Sequence, residues 1–215
     1  MPAFLLIDNS NSFTKFALSS ETAVGETRKL ATREVSPESV RELIGDWQFD
    51  AAVICSVVPV KGAVLREAAA RLHPTPAVVV DFGTALTFDI VSAEGNYLGG
   101  VIAPGLEAMT EFLPQRTALL PRIALLEPPG IIGKSTNDAM LAGAVYGYRG
   151  LVREILGKLR QELERDAPLK VVATGGYAEL IAAGVPEIHE VQPLLTLEGL
   201  RLIANRHFPQ NTRDH

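Results

Sequence analysis

The sequence predicts an α/β fold in two similar lobes, and two observations carry that expectation. Short apolar runs that suit buried strands alternate with longer stretches rich in Ala, Leu and charge that suit helices. In addition, Leu5-Leu6-Ile7-Asp8-Asn9-Ser10-Asn11-Ser12 is echoed by Val78-Val79-Val80-Asp81-Phe82-Gly83-Thr84-Ala85. Each copy reads as a buried strand, an Asp, mostly small or polar residues, then a returning strand. A core duplicated in this way divides the chain into an N-terminal lobe over 1–76 and a C-terminal lobe over 77–215, with a cleft between them.

The elements follow in order. Phe4 to Ile7 is a continuous apolar run and suits a buried strand. Thr14 to Leu18 is its expected hairpin partner, and Ala51 to Ile54 a further buried strand. Pro59 opens an expected helix over Val60 to Leu72, and Pro74-Thr75-Pro76 breaks the chain. Ala77 to Val80 is a buried strand ending at Asp81. Thr87 to Ser92 returns beside it, Ala93 to Asn96 turns, and Tyr97 to Ile102 extends the sheet. Gly99-Gly100 inside that strand points to a close approach by another group. Pro104-Gly105 starts a helix through Phe112, and Asn137 to Leu163 is a long helix with Ala142, Gly143 and Gly147 on it. Val171 to Ala173 is a strand that stops at Thr174-Gly175-Gly176, and a helix follows from Tyr177. Leu197 to Arg206 is a terminal helix, and Pro209 to His215 an expected frayed tail.

The totals narrow the function. With 215 residues, 47% hydrophobic and 21% charged, the chain has the makings of a sizeable core. A net charge of −5 gives no reason to expect nucleic acid or an anionic membrane as partner. The single cysteine, Cys55, allows no intrachain disulfide and follows an apolar run, so it reads as a buried thiol in a reducing compartment. The first residues lack a basic segment, and no stretch approaches the roughly 18 uncharged residues of a membrane helix. A cytoplasmic location is the expectation.

The two Asp-led turns carry the chemistry. In Asp81-Phe82-Gly83-Thr84-Ala85-Leu86-Thr87-Phe88-Asp89, Gly83 lets backbone N–H groups approach a ligand, and Thr84 and Thr87 add hydroxyls. Clustered donors of this kind suit phosphate oxygens. Asp81, at the end of a buried strand, calls for a cation or hydrogen bonds there. The first turn has the same logic: Asp8 suits hydrated Mg²⁺, while Ser10, Asn11 and Ser12 donate to phosphate and Lys15 supplies positive charge. An Asx-rich hairpin turn is the plain alternative at either place. Thr174-Gly175-Gly176 enters a helix whose first N–H groups suit an anion or a nucleobase-ribose unit, and a plain strand-to-helix turn needs the same glycines. Gly133-Lys134-Ser135-Thr136 is not a Walker A loop, because Pro128 stands where the first Gly belongs. Trp47 and Tyr146 read as packing residues, His73 as a loop histidine, and Glu107 as a helix-start acid first and a residue lining the cleft second.

These motifs together resemble the type III pantothenate kinases, members of the actin-like acetate and sugar kinase superfamily. Asp8, Asn11 and Lys15 match that family's Asp-x-Gly-Asn-Thr-x-x-Lys, with Ser10 in place of Gly and Ser12 in place of Thr. The match continues through Asp81 to Asp89, Gly99 to Gly105, Thr117 to Pro121, Gly133 to Thr136, Thr174 to Gly176 and Leu195 to Leu200. The resemblance implies an actin-like, ribonuclease H-like fold and ATP-dependent phosphorylation of pantothenate, the first step toward coenzyme A. It implies Mg-ATP, a monovalent cation (K⁺ or NH₄⁺) and a homodimer. By position it implies that Asp8, Asn9, Ser10, Asn11, Ser12, Phe13, Thr14 and Lys15 bind the ATP phosphates. It further implies that Thr84 contacts ATP, that Asp81 ligates the monovalent cation, and that Thr136 contacts pantothenate near the dimer interface.

One motif of that family is missing. Its Gly-x-Asp-Arg, which supplies the proposed base and an Arg for the substrate, has no counterpart, and the span from Pro59 to Asp81 is several tens of residues too short. Between them only Lys61, Arg66, Glu67, Arg71 and His73 are ionisable. In one reading the chain is still a kinase, with Asp89 or a water in the role of base and Arg66 on the pantothenate carboxylate. In a second it is a nucleotide-binding relative with a regulatory or subunit role. In a third it phosphorylates another small hydroxylated acceptor.

Overall fold

The computed structural model describes residues 4–56, 76–163 and 168–208. The chain divides into two compact units, Met1–Leu72 with Leu194–His215, and His73–Pro193.

The first unit is built on strands β1 (Phe4–Asn9), β2 (Phe13–Ser19), β3 (Val24–Ala31) and β4 (Ala51–Ser56), in spatial order β3-β2-β1-β4. β1 runs antiparallel to β2 and parallel to β4, so it is central, and its apolar run is buried on both faces. β3 is the edge strand and carries Glu26, Arg28 and Lys29, which suits an exposed edge. Helix α1 (Pro37–Ile44) opens with Pro37 behind a reciprocal Ser36–Ser39 capping box. It closes one face of the sheet, where Leu5 and Phe16 pack with Ile44 and Trp47.

The other face of that sheet is covered from far along the chain. Phe4, Leu6, Ala17 and Cys55 pack against Leu197, Leu200 and Ala204 of the terminal helix, Leu195–His207. The chain end therefore rejoins the first unit, whereas the sequence expectation left all of 77–215 together. The cause is burial: this helix carries a stripe of apolar residues three and four apart that only the β1–β4 surface covers.

The second unit repeats the plan. Its strands β5 (Ala77–Phe82), β6 (Ala85–Val91), β7 (Tyr97–Pro104), β8 (Lys170–Thr174) and β9 (Glu190–Val191) stand in order β7-β6-β5-β8-β9. Here β5 is antiparallel to β6 and parallel to β8. The order β7-β6-β5-β8 reproduces β3-β2-β1-β4 strand for strand, in the same senses, and that is the physical content of the sequence echo. Among the described residues this unit has three helices: α2 (Leu106–Arg116), α3 (Thr136–Leu163) and α4 (Ala178–Ala182). The terminal helix is α5. Val145, Tyr148, Val152 and Leu156 of α3 line up at helical spacing on Val78, Val80, Phe82, Phe88 and Val171 to form the core. Tyr148 donates its hydroxyl to the Pro104 carbonyl at 3.2 Å, and burial pushes its phenol up to about 12. Among the described residues no helix is long and apolar enough to cross a membrane. The expected helix from Val60 to Leu72 and the expected tail from Pro209 lie outside the described residues.

Candidate functional site

Asp8 sits next to the end of β1, opposite Lys15 on β2 and Cys55 on β4. It is 5% exposed, a buried carboxylate at a strand end. Ser10 donates its hydroxyl to Asp8 Oδ1 at 3.1 Å. Around the turn, Thr14 donates to Asn9 Oδ1 at 3.0 Å, and Thr32 donates to the Ser10 carbonyl at 2.6 Å. The Thr14 and Thr32 hydroxyls lie 3.2 Å apart, and Thr32 N–H donates to the Ser12 carbonyl at 2.9 Å. Among the described residues no side chain-bearing residue has a positive φ, so Ser10 and Ser12 make this turn without the backbone that a glycine would permit. Asn11, Ser12 and Phe13 are exposed, and Lys29 lies over the Phe13 ring at 5.2 Å.

The second turn is shaped by glycines. Asp81 pairs with Thr87 on β6 and with Thr174 on β8, and Gly83 N–H donates to the Ala85 carbonyl at 3.2 Å. Gly105 N–H donates to the Thr84 carbonyl at 3.2 Å, and a Cβ on Gly105 would lie 2.6 Å from the Gly83 carbonyl oxygen. Gly175 has φ +98°, and a Cβ there would lie 2.6 Å from Asp81 Oδ1. Only glycine at 105 and 175 lets three chain segments meet around this carboxylate and turn. Tyr177 N–H then donates to the Phe82 carbonyl at 3.4 Å.

Because residues two apart share a face, Asp81, Thr87, Asp89 and Thr174 lie on the face of the sheet opposite Val80, Phe82 and Phe88. Asp89 accepts from Thr87 at 3.1 Å and from Tyr97 at 3.2 Å, one hydroxyl on each oxygen. A Cβ at Gly100, which pairs with Asp89, would sit 3.2 Å from that Tyr97 hydroxyl. It would also press on the Phe88 carbonyl of β6, while Gly99 has φ +130°, so the Gly99-Gly100 signal marks a close approach of neighbouring backbone and a left-handed residue.

Beside the second turn lies a cavity of about 300 Å³. Glu107, Thr110 and Glu111 of α2 form one wall, Arg122 to Leu125 another, and Tyr177 closes it. Burial, followed by the carboxylates of Glu107 and Glu111, raises the Tyr177 phenol above its ordinary 10.0. Glu107 therefore has two places at once, in the first turn of α2 and on the cavity wall. Sequence reasoning did not place this cavity; its hints were the alternative role of Glu107 as a cleft residue and the Gly175-Gly176 segment before Tyr177.

Thr136 is exposed at the start of α3, where Ser135 accepts from Asp138 N–H at 3.1 Å and caps the helix. A Cβ at Gly133 would meet Asp138 and Ala139, so the Gly133 to Thr136 motif is a tight helix entry. Within the first unit the structure brings together Asp8, Asn9, Ser10, Thr14 and Lys15; within the second it brings together Asp81, Thr84, Gly105 and Gly175. Arg66 and His73 lie outside the described residues. Cys55 is buried, and Trp47 packs beneath Arg28 at 4.6 Å.

The donor set suits hard cations. Carboxylate and hydroxyl oxygens dominate both turns, and among the described residues no group of three His, Cys, Asp or Glu forms a self-sufficient metal cage. Mg²⁺ held through one carboxylate, waters and phosphate oxygens fits such a set.

Two units with the same strand order and an Asp-led turn in each define an actin-like kinase fold. A candidate 2-dehydro-3-deoxygalactonokinase from Sinorhizobium meliloti superposes with a TM-score of 0.62, covering 99% of this chain and 100% of that one at 13% identity, which speaks for the fold. The profile of the type III pantothenate kinase family matches residues 63–158. A type III pantothenate kinase from Akkermansia muciniphila is 47% identical over 239 aligned residues, covering 94% of this chain and 98% of its own. One from Methylacidiphilum infernorum is 33% identical, covering 98% and 91%. The chain belongs to the type III pantothenate kinase family. The 239 aligned residues exceed the 215 of this chain, so the A. muciniphila relative carries residues with no counterpart here.

Proposed function

We propose that this chain transfers the γ-phosphoryl group of ATP to the primary hydroxyl of pantothenate, the first step toward coenzyme A. The observation that carries the reading is the duplicated strand, Asp and turn unit, found in a chain of this family. The hydroxyl oxygen forms the new P–O bond, the bond to the β-phosphate oxygen breaks, ADP leaves, and the hydroxyl proton passes to a base or to water. Such transfer rests on positioning and charge stabilisation more than on the base.

Asp8 is positioned to hold Mg²⁺ through water, with Asn9, Ser10, Asn11, Ser12, Phe13 and Thr14 around the phosphates and Lys15 adding positive charge. Asp81, in a cradle that a side chain at Gly175 would fill, suits the monovalent cation K⁺ or NH₄⁺, and Thr84 suits ATP. When bound, these ions neutralise phosphate charge. The cavity takes the nucleoside: its walls begin two residues beyond Gly105 and Gly175, which touch the Asp81–Thr84 turn, and Glu107 and Glu111 offer acceptors for sugar or amine protons. Thr136 and Arg66 are assigned to pantothenate, and Asp89 is the base that this chain's sequence offers. A homodimer in the cytoplasm completes the reading. Ile102, Leu119 and Ile132, each at least three-quarters exposed in the second unit, suit a subunit contact.

The second reading, a nucleotide-binding relative with a regulatory or subunit role, rests on one feature: no Asp stands between Pro59 and Val80. A coupled ADP-release assay with and without pantothenate, in K⁺ and in Na⁺, decides between the two. The expected result is ADP release that requires pantothenate and is faster in K⁺. ATP binding without any pantothenate-dependent release would establish the second reading instead.

A further inference from the structure

Arg149 is the described residue whose charge is hardest to place. It lies in the middle of α3, 6% exposed, on the helix that forms the core of the second unit. A guanidinium does not give up its proton, so a buried one must be matched by acceptors. Arg149 is matched by three acceptor groups on two pieces of chain. Its Nη1 and Nη2 donate to Glu127 Oε1 and Oε2 at 2.9 and 2.6 Å, a two-pronged ion pair. Nη2 also donates to the Leu180 carbonyl at 2.6 Å, and Nε to the Ile181 carbonyl at 3.4 Å. A Cβ on Gly184 would lie 2.6 Å from Arg149 Cδ and Cζ, so the chain after α4 is moulded around this side chain. Glu127 holds Arg149 in its charged form, and Arg149 in turn holds the Glu127 carboxyl below its ordinary 4.5.

The partners occupy telling positions. Glu127 belongs to the segment 117–135, which has neither helix nor strand, and it follows by two residues the stretch Arg122 to Leu125 that walls the cavity. Leu180 and Ile181 belong to α4, the short helix that starts after Tyr177, which closes the same cavity. Arg149 is not among the residues that line the cavity. It ties together the backbones that carry two of the cavity's walls.

We infer that Arg149 is a positioning residue for the nucleotide: through Glu127 it holds Arg122 to Leu125 at a fixed distance from Tyr177, and so pre-forms the pocket for the nucleoside. This rests on the reading that the cavity takes the nucleoside of ATP. A loop of this kind, left untethered, must be ordered at the moment of binding, and that cost appears as weaker affinity. Chemistry at the γ-phosphate is left as it was.

A purely structural ion pair is the competing account, and Glu127 separates the two. The Glu127 side chain is 56% exposed, and its replacement by Gln leaves Arg149 with its two carbonyl partners. Glu127→Gln should therefore shift Tm by no more than about 3 °C. ATP affinity, measured by calorimetric titration of the whole chain, should fall about 5- to 20-fold. KM for ATP should rise in step, with kcat within about twofold and KM for pantothenate unchanged. Arg149→Lys should move ATP affinity the same way, because one ammonium cannot serve a carboxylate fork and two carbonyls. Wild-type ATP affinity in both Glu127→Gln and Glu127→Ala would overturn the inference, as would a loss of Tm and kcat with KM for ATP unchanged. If the wild type binds ATP yet phosphorylates no pantothenate, the kinase reading falls while the titrations still decide the role of Arg149. If it binds no ATP, both fall.

Discussion

The same strand, Asp and turn unit is built twice, with opposite materials. At Asp8 the turn contains no glycine, and hydroxyls do the shaping: Ser10 reaches Asp8, Thr14 reaches Asn9, and Thr32 reaches the Ser10 carbonyl. At Asp81 bare backbone does it, with Gly83 in the turn and Gly105 and Gly175 pressed against it. Asp8 is buried, whereas Asp81 is half-buried. On the proposed reading, a concavity for phosphate is made here in two ways: by adding donors on side chains, or by removing side chains so that backbone donors come close. The first kind is adjustable one hydroxyl at a time. The second is all or nothing, since a single Cβ fills it.

The largest effect should come from the carboxylates themselves. Asp81→Asn keeps the shape of the side chain and removes its charge. If Asp81 holds a cation against phosphate, kcat/KM for ATP should fall about 10²- to 10³-fold, or roughly 3–4 kcal/mol of transition-state stabilisation. Thermal unfolding should stay within a few degrees of wild type, and the advantage of K⁺ over Na⁺ should disappear. Equal losses in activity and in stability would make Asp81 a structural residue and break the functional half of the comparison.

Gly175→Ala should come next. At φ +98° a side chain is strained whatever the space, and here the added Cβ also meets Asp81 Oδ1 and the Phe82 backbone at about 2.6 Å. A loss of about 2–4 kcal/mol in unfolding free energy by urea titration is expected, together with loss of ATP binding. Gly176→Ala is the control, because nothing lies within 4 Å of a Cβ there. Similar losses in both would mean that flexibility, not close approach, is what the Gly-Gly pair supplies.

How much of this was legible in the sequence follows from what is local. Strands that end at Asp8 and Asp81 announce themselves, because an apolar run that stops at a carboxylate is a local signal. The capped start of α1, Ser36-Pro37-Glu38-Ser39, was equally local and went unread. β3 gave little signal because an edge strand with Glu26, Arg28 and Lys29 has no apolar run, and β9 has only two residues, ordered by pairing with β8. The return of α5 to the first unit, the cavity and the Glu127–Arg149 pair were not legible at all. Each depends on chain segments more than twenty residues apart meeting, and a Glu in an irregular segment looks the same whether or not an Arg waits for it. The family motifs named the residues of both turns but not the materials that shape them.

The smallest expected effect is the most pointed for the comparison. Thr32 is not in either motif, yet its hydroxyl donates to the Ser10 carbonyl at 2.6 Å and lies 3.2 Å from the Thr14 hydroxyl. Thr32→Val keeps the β-branched shape and removes one proton, leaving a partly buried carbonyl without that donor. The cost should be about 1 kcal/mol in urea titration, and KM for ATP should rise about two- to fivefold with kcat little changed. Thr32→Ser should restore both, because the proton returns. A wild-type KM in Thr32→Val would mean that the hydroxyl frame around Asp8 is incidental. The first turn would then be shaped by its backbone alone, like the second, and the contrast between the two would vanish.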